Sequence, residues 1–501
     1  MDFDPKLVGG LVCLLLVVAA IQKRHRFGRH LPLPPSPPKT QWLWGHILPP
    51  QRGFLKVEEW INTYGSVISI RQGRRRVVIV GRYQAAVDIM EKQGGSTVDR
   101  PRMVAAGDIL SGGLRFIFTP GGERFRRMRR AIHTHLQPKA AEHYESVQMD
   151  NAKNTILDLL DDPDQYSLHA TRYSSAVIQK VAYGKTSPTS ATDPEIQQVR
   201  LSLHRLRHAM RPGQYLVDTF PFLKGIPWYG LELKQWHEEE RKLFTGQLNK
   251  VQEQLDNNED VGPSFGKHLL ENKMEYALTE TEMAYLTGGF FAAGSDTTAA
   301  AISLMILSAA VHPEAQAKVQ AELDSVIGQQ RAPTFSDEEM LPQLQAFILE
   351  SFRWRPIVGG GLPHRTNKDM IWENLFIPSG TTIVGHHWAI SRDPVVYPNP
   401  NSFEPQRWLN SQGKIRDDIK FFTYGFGRRA CPGQHVANRS VYINAALILW
   451  SFRMSLNSSE PIDDMAFMGG MVPSVTPKVL FEKRMDEKEL RDIIERYSEG
   501  L

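Results

Sequence analysis

Between Thr279 and Pro313 the chain carries an apolar run that fits one helix long enough to cross a whole domain. Thr279-Glu280-Thr281-Glu282 is its start, because Thr279 and Glu282 stand at capping-box spacing. The run reaches Val311, and Pro313 ends it. At ~1.5 Å per residue that helix is about 50 Å long. It does not read as a membrane span, because Gly294, Ser295, Asp296, Thr297 and Thr298 interrupt its centre. The expectation is one long helix with a polar cluster midway along it.

The rest of the pattern agrees. A shorter helix opens at Pro313 and closes near Gly328, and another runs from about Leu341 to Arg355 with Pro356 as its stop. The stretch from Arg82 to Tyr183 reads as largely helical. Val67 to Val80 has strand-like Val and Ile content. Phe376 to Val384 resembles a hairpin turning at Pro378-Ser379-Gly380. The fold class is therefore mainly α with a minor β part. No internal repeat is present. The length, 501 residues, allows several domains or one large enzyme, and 41% hydrophobic residues suffice for a sizeable core. With 59 basic against 55 acidic side chains, the formal charge of +4 is too balanced for nucleic-acid binding.

Leu7 to Ile21 is apolar but shorter than the ~20 residues of a comfortable span. A cleaved signal peptide competes with an anchor, yet Asp2 and Asp4 accompany Lys6, and the basic cluster Lys23, Arg24, Arg26, Arg29 follows. That order favours a signal anchor with the body in the cytoplasm. Residues 1–30 form the anchor and basic flank, 31–38 a stiff proline-rich hinge, and 39–501 the catalytic domain.

Cys431 carries the chemistry. The only other cysteine, Cys13, lies in the apolar N-terminal run, so neither a disulfide nor a sulfur-rich metal cage is plausible. Its context is Tyr424-Gly425-Phe426-Gly427-Arg428-Arg429-Ala430-Cys431-Pro432-Gly433. Pro432 suits the first position of a helix, which would put Cys431 at a helix N-terminus where a thiolate is stabilised. Gly427 and Gly433 allow the backbone to approach a flat ligand, and Arg429 suits a carboxylate. Thiolate, guanidinium and cleared surface together suit haem iron and its propionates. Ala293-Gly294-Ser295-Asp296-Thr297-Thr298 reads either as an O2 and water groove, with Asp296 and Thr297 relaying protons, or as a self-satisfied kink. Glu350-Ser351-Phe352-Arg353 places acid and base on one helix face, and Arg407 downstream offers a third member for a structural cluster.

In order and spacing, these segments resemble the cytochrome P-450 family of haem-thiolate monooxygenases from about residue 32 onward. The resemblance implies Cys431 as axial ligand of haem b, Asp296 and Thr297 as the acid–alcohol pair, and Glu350, Arg353 and Arg407 as a fold-stabilising triad. Phe125-Arg126-Arg127-Met128-Arg129 resembles the helix whose arginine, here Arg129, pairs with a propionate. His364 falls where the family places a propionate-binding Arg or His. Trp388-Ala389 and Arg392-Asp393-Pro394 match a familiar stretch. Three departures stand out: Tyr424 for the usual Phe, Phe125 for Trp, and Gln406 for Glu beside Arg407.

By the same resemblance, substrate contacts lie at Met103 to Phe116, Phe290 to Ala292, Ile357 to Leu362 and Met468 to Val472. Their apolar character suits a small lipophilic substrate. Arg124, Arg126, Arg127 and Arg130 read as a solvated face or, by resemblance, as a docking surface for an acidic flavoprotein. No flavin or nicotinamide fingerprint occurs, so electrons are expected from NADPH through a separate cytochrome reductase. The implied place is the endoplasmic reticulum membrane, single-pass, with a cytosolic body. The sequons at Asn438 and Asn457 would then stay unmodified. The wording of the motifs is most like fungal microsomal members that tailor terpenoids or polyketides. Alternatives are a haem-thiolate isomerase or dehydratase without O2, and a non-catalytic haem sensor.

Overall fold

The computed structural model describes residues 31–496, apart from residues 43, 50, 74, 186–188, 458, 470, 471 and 474. The expected anchor over residues 1–30, Cys13, and Ser458 of the second sequon lie outside the described residues, as do residues 470 and 471 of the Met468 to Val472 segment. The longer helices, in chain order, are α1 (Gly53–Tyr64), α2 (Glu123–Leu136), α3 (Glu145–Asp161), α4 (Tyr166–Tyr183), α5 (Pro194–Met210) and α6 (Leu231–Asp256). They continue with α7 (Glu280–Val311), α8 (Pro313–Val326), α9 (Pro342–Trp354) and α10 (Gln434–Ser451).

The centre is α7. Thr279 Oγ1 accepts from the N–H of Glu282, and the Glu282 carboxylate accepts from the N–H of Thr279, so the expected capping box closes the N-terminus. Helices α4, α6 and α10 pack around α7. Hydrophobic residues cover it almost all round, the mark of a core helix rather than a surface one. Among the described residues it is also the one helix long and apolar enough to cross a membrane, and most of it is buried in protein. The Gly–Ser–Asp–Thr centre does not interrupt the helix. Ser295 and Thr297 donate back to the carbonyls of Phe291 and Ala293, at 2.8 and 2.6 Å, within a continuous α ladder.

The β part is small. Strands β1 (Val67–Gln72) and β2 (Arg75–Val80) form an antiparallel hairpin, β6 (Thr382–Gly385) runs parallel to β2, and β3 (His364–Arg365) closes the sheet. Strands β4 (Met370–Trp372) and β5 (Leu375–Ile377) pair with each other, as do β7 (Phe452–Leu456) and β8 (Val479–Lys483). The hairpin expected over Phe376 to Val384 does not exist. A turn does occur at Pro378 to Gly380, with Thr381 N–H reaching the Pro378 carbonyl, but its two arms belong to different sheets. A turn fixes a change of direction, while pairing is decided by which edge lies nearby. Two π-helical turns, Val87–Lys92 and Val104–Leu110, interrupt the helical stretch expected after Arg82.

Candidate active site

Glu350, Arg353 and Arg407 meet as expected. Glu350 and Arg353 are fully buried on α9, with Arg353 Nε and Nη2 donating to the two carboxylate oxygens at 2.8 and 2.7 Å. Arg407 Nε, Trp408 Nε1 and the backbone N–H of Glu404 also donate to Glu350. The remaining Arg353 protons reach the carbonyls of Ser391, Pro400 and Ser402. The cluster therefore ties α9 to the 391–408 segment. Gln406 turns away to donate to Gln343, and Glu404 stands 3.3 Å from Arg407 instead.

Cys431 precedes α10 by three residues, because Pro432 and Gly433 form a turn and the helix begins at Gln434. Pro432 is thus not the first helical residue. The Gly433 N–H nonetheless favours the thiolate, and Arg129 lies within electrostatic reach of it. Burial raises the thiol above its ordinary range and outweighs both of these lowering effects. The loop is pinned by Cys431 N–H to the Tyr424 carbonyl (2.8 Å) and by Arg129 Nη1 to the Ala430 carbonyl (2.9 Å). Tyr424 keeps its ring in place and uses its hydroxyl to reach Asn438 Oδ1 at 2.6 Å. Cys431 borders a hollow of about 150 Å³ walled in part by Arg129, His133 and His435.

Gly427 corrects an expectation. Its φ is +50°, and an added Cβ would lie 2.7 Å from the Met90 carbonyl oxygen and 3.1 Å from Gly94 Cα. The clearance it provides is toward the 87–94 segment, not toward a ligand. Gly433 sits close to the centre: a Cβ there would be 3.9 Å from Cys431 Sγ and 4.0 Å from Phe290.

Along α7, Gly289, Phe290, Ala293 and Thr297 are open to space, while Phe291, Ala292, Ser295 and Asp296 are buried, and Gly294 packs against Ile178 of α4, 2.6 Å from where its Cβ would stand. These open positions fall at helical spacing, so they form one face bordering an internal space. Thr297 faces it. Asp296, about 100° further round the helix, does not. Its carboxylate points to α5, 3.3 Å from Arg200 Nε and 4.0 Å from Arg207 Nη1, and burial pushes its pKa up against the pull of both arginines. Phe291 and Ala292, expected to touch substrate, belong to the core instead; Phe291 packs edge-on against Tyr183.

Around the Thr97 to Arg100 segment, basic groups converge. Arg429 is buried, with Nε and Nη2 donating to the carbonyls of Val98 (2.7 Å) and Thr119 (2.6 Å). Its guanidinium stacks on Phe125, 3.7 Å from the ring centroid. His364 Nδ1 meets the Thr97 carbonyl at 2.9 Å, and burial with Arg100 nearby brings its pKa down to about 3. Arg100 completes the group. It is buried, donates to the Pro363 carbonyl, and has an Nε without a partner. Burial brings Arg100 to about 10 and, with Arg100 as neighbour, Arg429 to about 9. Among the described residues, Asp99 is the carboxylate that acts on both arginines. The sequence reading missed Arg100. Its only signal was an arginine between Asp99 and Pro101, which by itself says nothing about burial.

Two buried arginines sharing one carboxylate, with Arg129 on the neighbouring cysteine loop, leave positive charge in excess and suit an anionic group. A family model described as cytochrome P-450 matches residues 34–481. The chain is 50% identical over 458 residues to cytochrome P-450 monooxygenase 64 of Postia placenta, covering 91% of this chain and 92% of that one. It is 48% identical to monooxygenase 113 of the same fungus, covering 96% of each. A cytochrome P-450 monooxygenase of Armillaria gallica is 32% identical, covering 98% and 97%. The chain belongs to the cytochrome P-450 family, and it is a monooxygenase. The family's group is haem with thiolate-ligated iron, and the residues present fit it: an excess of buried positive charge matches two propionates, and the open face of α7 leaves room for the ring.

Proposed function

We propose that Cys431 provides the thiolate ligand of haem b and that the protein oxidises a small lipophilic molecule at the open face of α7. Arg100, Arg129, His364 and Arg429 would hold the propionates. The mutual proximity of Arg100, His364 and Arg429, with Arg129 bonded to the loop that carries Cys431, carries the reading. Haem bound there supplies O2 activation: one oxygen atom enters a C–H or C=C bond, and the other leaves as water with two electrons and two protons. Thr297 is the hydroxyl that holds a proton donor on the open face, its own proton satisfied by the Ala293 carbonyl until displaced. Asp296 acts one step back, as a buried carboxylate between Thr297's helix and the arginines of α5.

The substrate side is apolar. Met103, Ile117, Phe118, Met210 and Leu362 line a narrow gap of about 10 Å³ beside Arg100, an apolar wall rather than a chamber. This chemistry supports a lipophilic substrate such as a terpenoid or polyketide of fungal secondary metabolism. Electrons would come from NADPH through a separate flavoprotein reductase, docked on the face of α2 where Arg126 and Arg130 are exposed. An anchor over residues 1–30, a hinge over 31–38 and a catalytic domain over 39–501 would hold the protein at the endoplasmic reticulum membrane. Support for a membrane-facing side comes from the β1–β2 turn. Gly73 N–H bonds to the Trp44 carbonyl, and Arg75 reaches the Asp218 carbonyl. Exposed Trp42 and exposed Leu216 and Phe220 thereby share one side of the body.

The deciding experiment is the absorption spectrum of the dithionite-reduced protein under carbon monoxide. A strongly red-shifted Soret band that Cys431→Ala abolishes is the expected result. Persistence of that band in Cys431→Ala would overturn the assignment.

A further inference from the structure

The segment from Leu110 to Phe118 reaches the apolar wall beside Arg100 and is held by an ion pair that the proposed chemistry does not use. Arg115, Glu240 of α6 and Ser202 of α5 are 5%, 3% and 6% exposed. Arg115 Nε donates to Glu240 Oε1 at 3.1 Å, and Nη2 donates to Glu240 Oε2. The same Nη2 donates to Ser202 Oγ at 2.9 Å, and Ser202 donates on to Glu240 Oε2 at 2.6 Å. The guanidinium lies 5.5 Å from the Phe244 ring, also on α6.

Such a pair adds little net stability over apolar residues of similar volume, because desolvation of two charges offsets their attraction. What it fixes is geometry: a guanidinium fork accepts only a narrow range of carboxylate positions. Five residues upstream, His237 of α6 bonds to the Leu110 carbonyl at 2.9 Å. Between the two fastenings stand Gly112 and Gly113, both with positive φ, and a Cβ on Gly112 would lie 2.6 Å from the His237 ring. Just downstream, Ile117 and Phe118 form part of that apolar wall.

We infer that the Arg115–Glu240–Ser202 cluster is a positioning device for substrate selectivity, setting where Ile117 and Phe118 stand relative to the reacting centre. This rests on the proposed haem site in taking Ile117 and Phe118, whose turn packs against α7, as part of the border of the substrate space. Arg115 itself touches no substrate; it acts through the two residues that follow it.

The test uses the full holoprotein and a paired replacement, Arg115→Met with Glu240→Leu, which removes both charges and avoids leaving one buried alone. Two azoles serve as probes: imidazole, which needs only the iron, and 4-phenylimidazole, whose ring also needs the wall. The expected result is a retained carbon monoxide band, imidazole affinity within about twofold, and 4-phenylimidazole affinity changed on the order of tenfold. Amide exchange over residues 114–119 should also quicken, and Arg115→Lys, which keeps charge but not the fork, should fall between. Parallel changes for both azoles, no change for either, or loss of the band in the paired variant would overturn the inference. If wild-type protein showed no shifted band, the haem reading would fail, and amide exchange would still test the fastening.

Discussion

Arg429 stacks on Phe125 at 3.7 Å, and Phe125 stacks in turn on Phe116 at 5.3 Å. The Arg429 guanidinium thus rests on an aromatic column rising from α2. Phe125→Ala is expected to cost about 3–5 kcal/mol and to lower haem content. Phe125→Trp should keep both, since the ring face is preserved. Thermal unfolding with the haem-to-protein ratio measures this; full haem content in Phe125→Ala would show that the column is dispensable.

Glu350 accepts five hydrogen bonds with no exposure to water. Removing it leaves Arg353 buried and uncompensated, so Glu350→Ala should destabilise by about 3–5 kcal/mol. Arg353→Lys should be nearly as harmful, because one ammonium cannot serve two carboxylate oxygens and three carbonyls. Denaturant midpoints decide it, and a loss under about 1 kcal/mol in either variant contradicts the account.

Thr297 and Asp296 are neighbours in sequence with different surroundings. Thr297→Ala should retain haem and ligand binding while electrons leak to hydrogen peroxide; Thr297→Ser should restore coupling. Asp296→Asn should slow turnover with less leakage, because that carboxylate does not border the open face. The ratio of product to NADPH consumed, with peroxide assayed alongside, separates the two.

His312 stacks on Phe403 at 4.1 Å, and burial with Arg355 nearby brings its pKa to about 4. Above about pH 6.5 it is neutral folded and unfolded, and it contributes no pH dependence. Below that, the unfolded chain binds the proton first. Stability therefore falls as pH drops from about 6.5 toward about 4, by at most about 1.4 kcal/mol per pH unit from this group. His312→Phe should flatten the slope in that window and leave stability near pH 8 little changed. An unaltered slope would remove His312 from the acid response.

Charge reversal at Arg126 and Arg130 tests the proposed reductase face. Arg126 already pairs with Glu123 at 2.6 Å, so the double change to Glu should slow reduction mainly at low salt, where screening is weakest. Stopped-flow reduction by a fungal reductase is the measurement, and azole binding should be unaffected.

Much of this was legible from local chemistry. The capping box, the prolines bounding α8 and α9, and the Glu-x-x-Arg spacing each rest on residues within a turn or two of one another. The hairpin at Phe376 to Val384 failed because its partner strands come from elsewhere, β4 for one arm and β2 for the other. Pro432 looked like a helix start, but the turn it makes with Gly433 delays α10 to Gln434. Gly427 looked like clearance for a ligand until Met90 occupied that side.

The sequence alone determined that one long helix would run through a helical body, and which cysteine and which acid–base cluster the chain carried. Periodicity, caps and spacing are properties of neighbouring residues. Tertiary structure decided that Thr297 faces the open space while Asp296 turns to α5, that Arg100 joins Arg429 and His364, and that Arg115 meets Glu240 across 125 positions. Those outcomes depend on which surfaces are buried against one another. Burial, not residue type, turns an arginine from a solvated charge into a fixed element of a site.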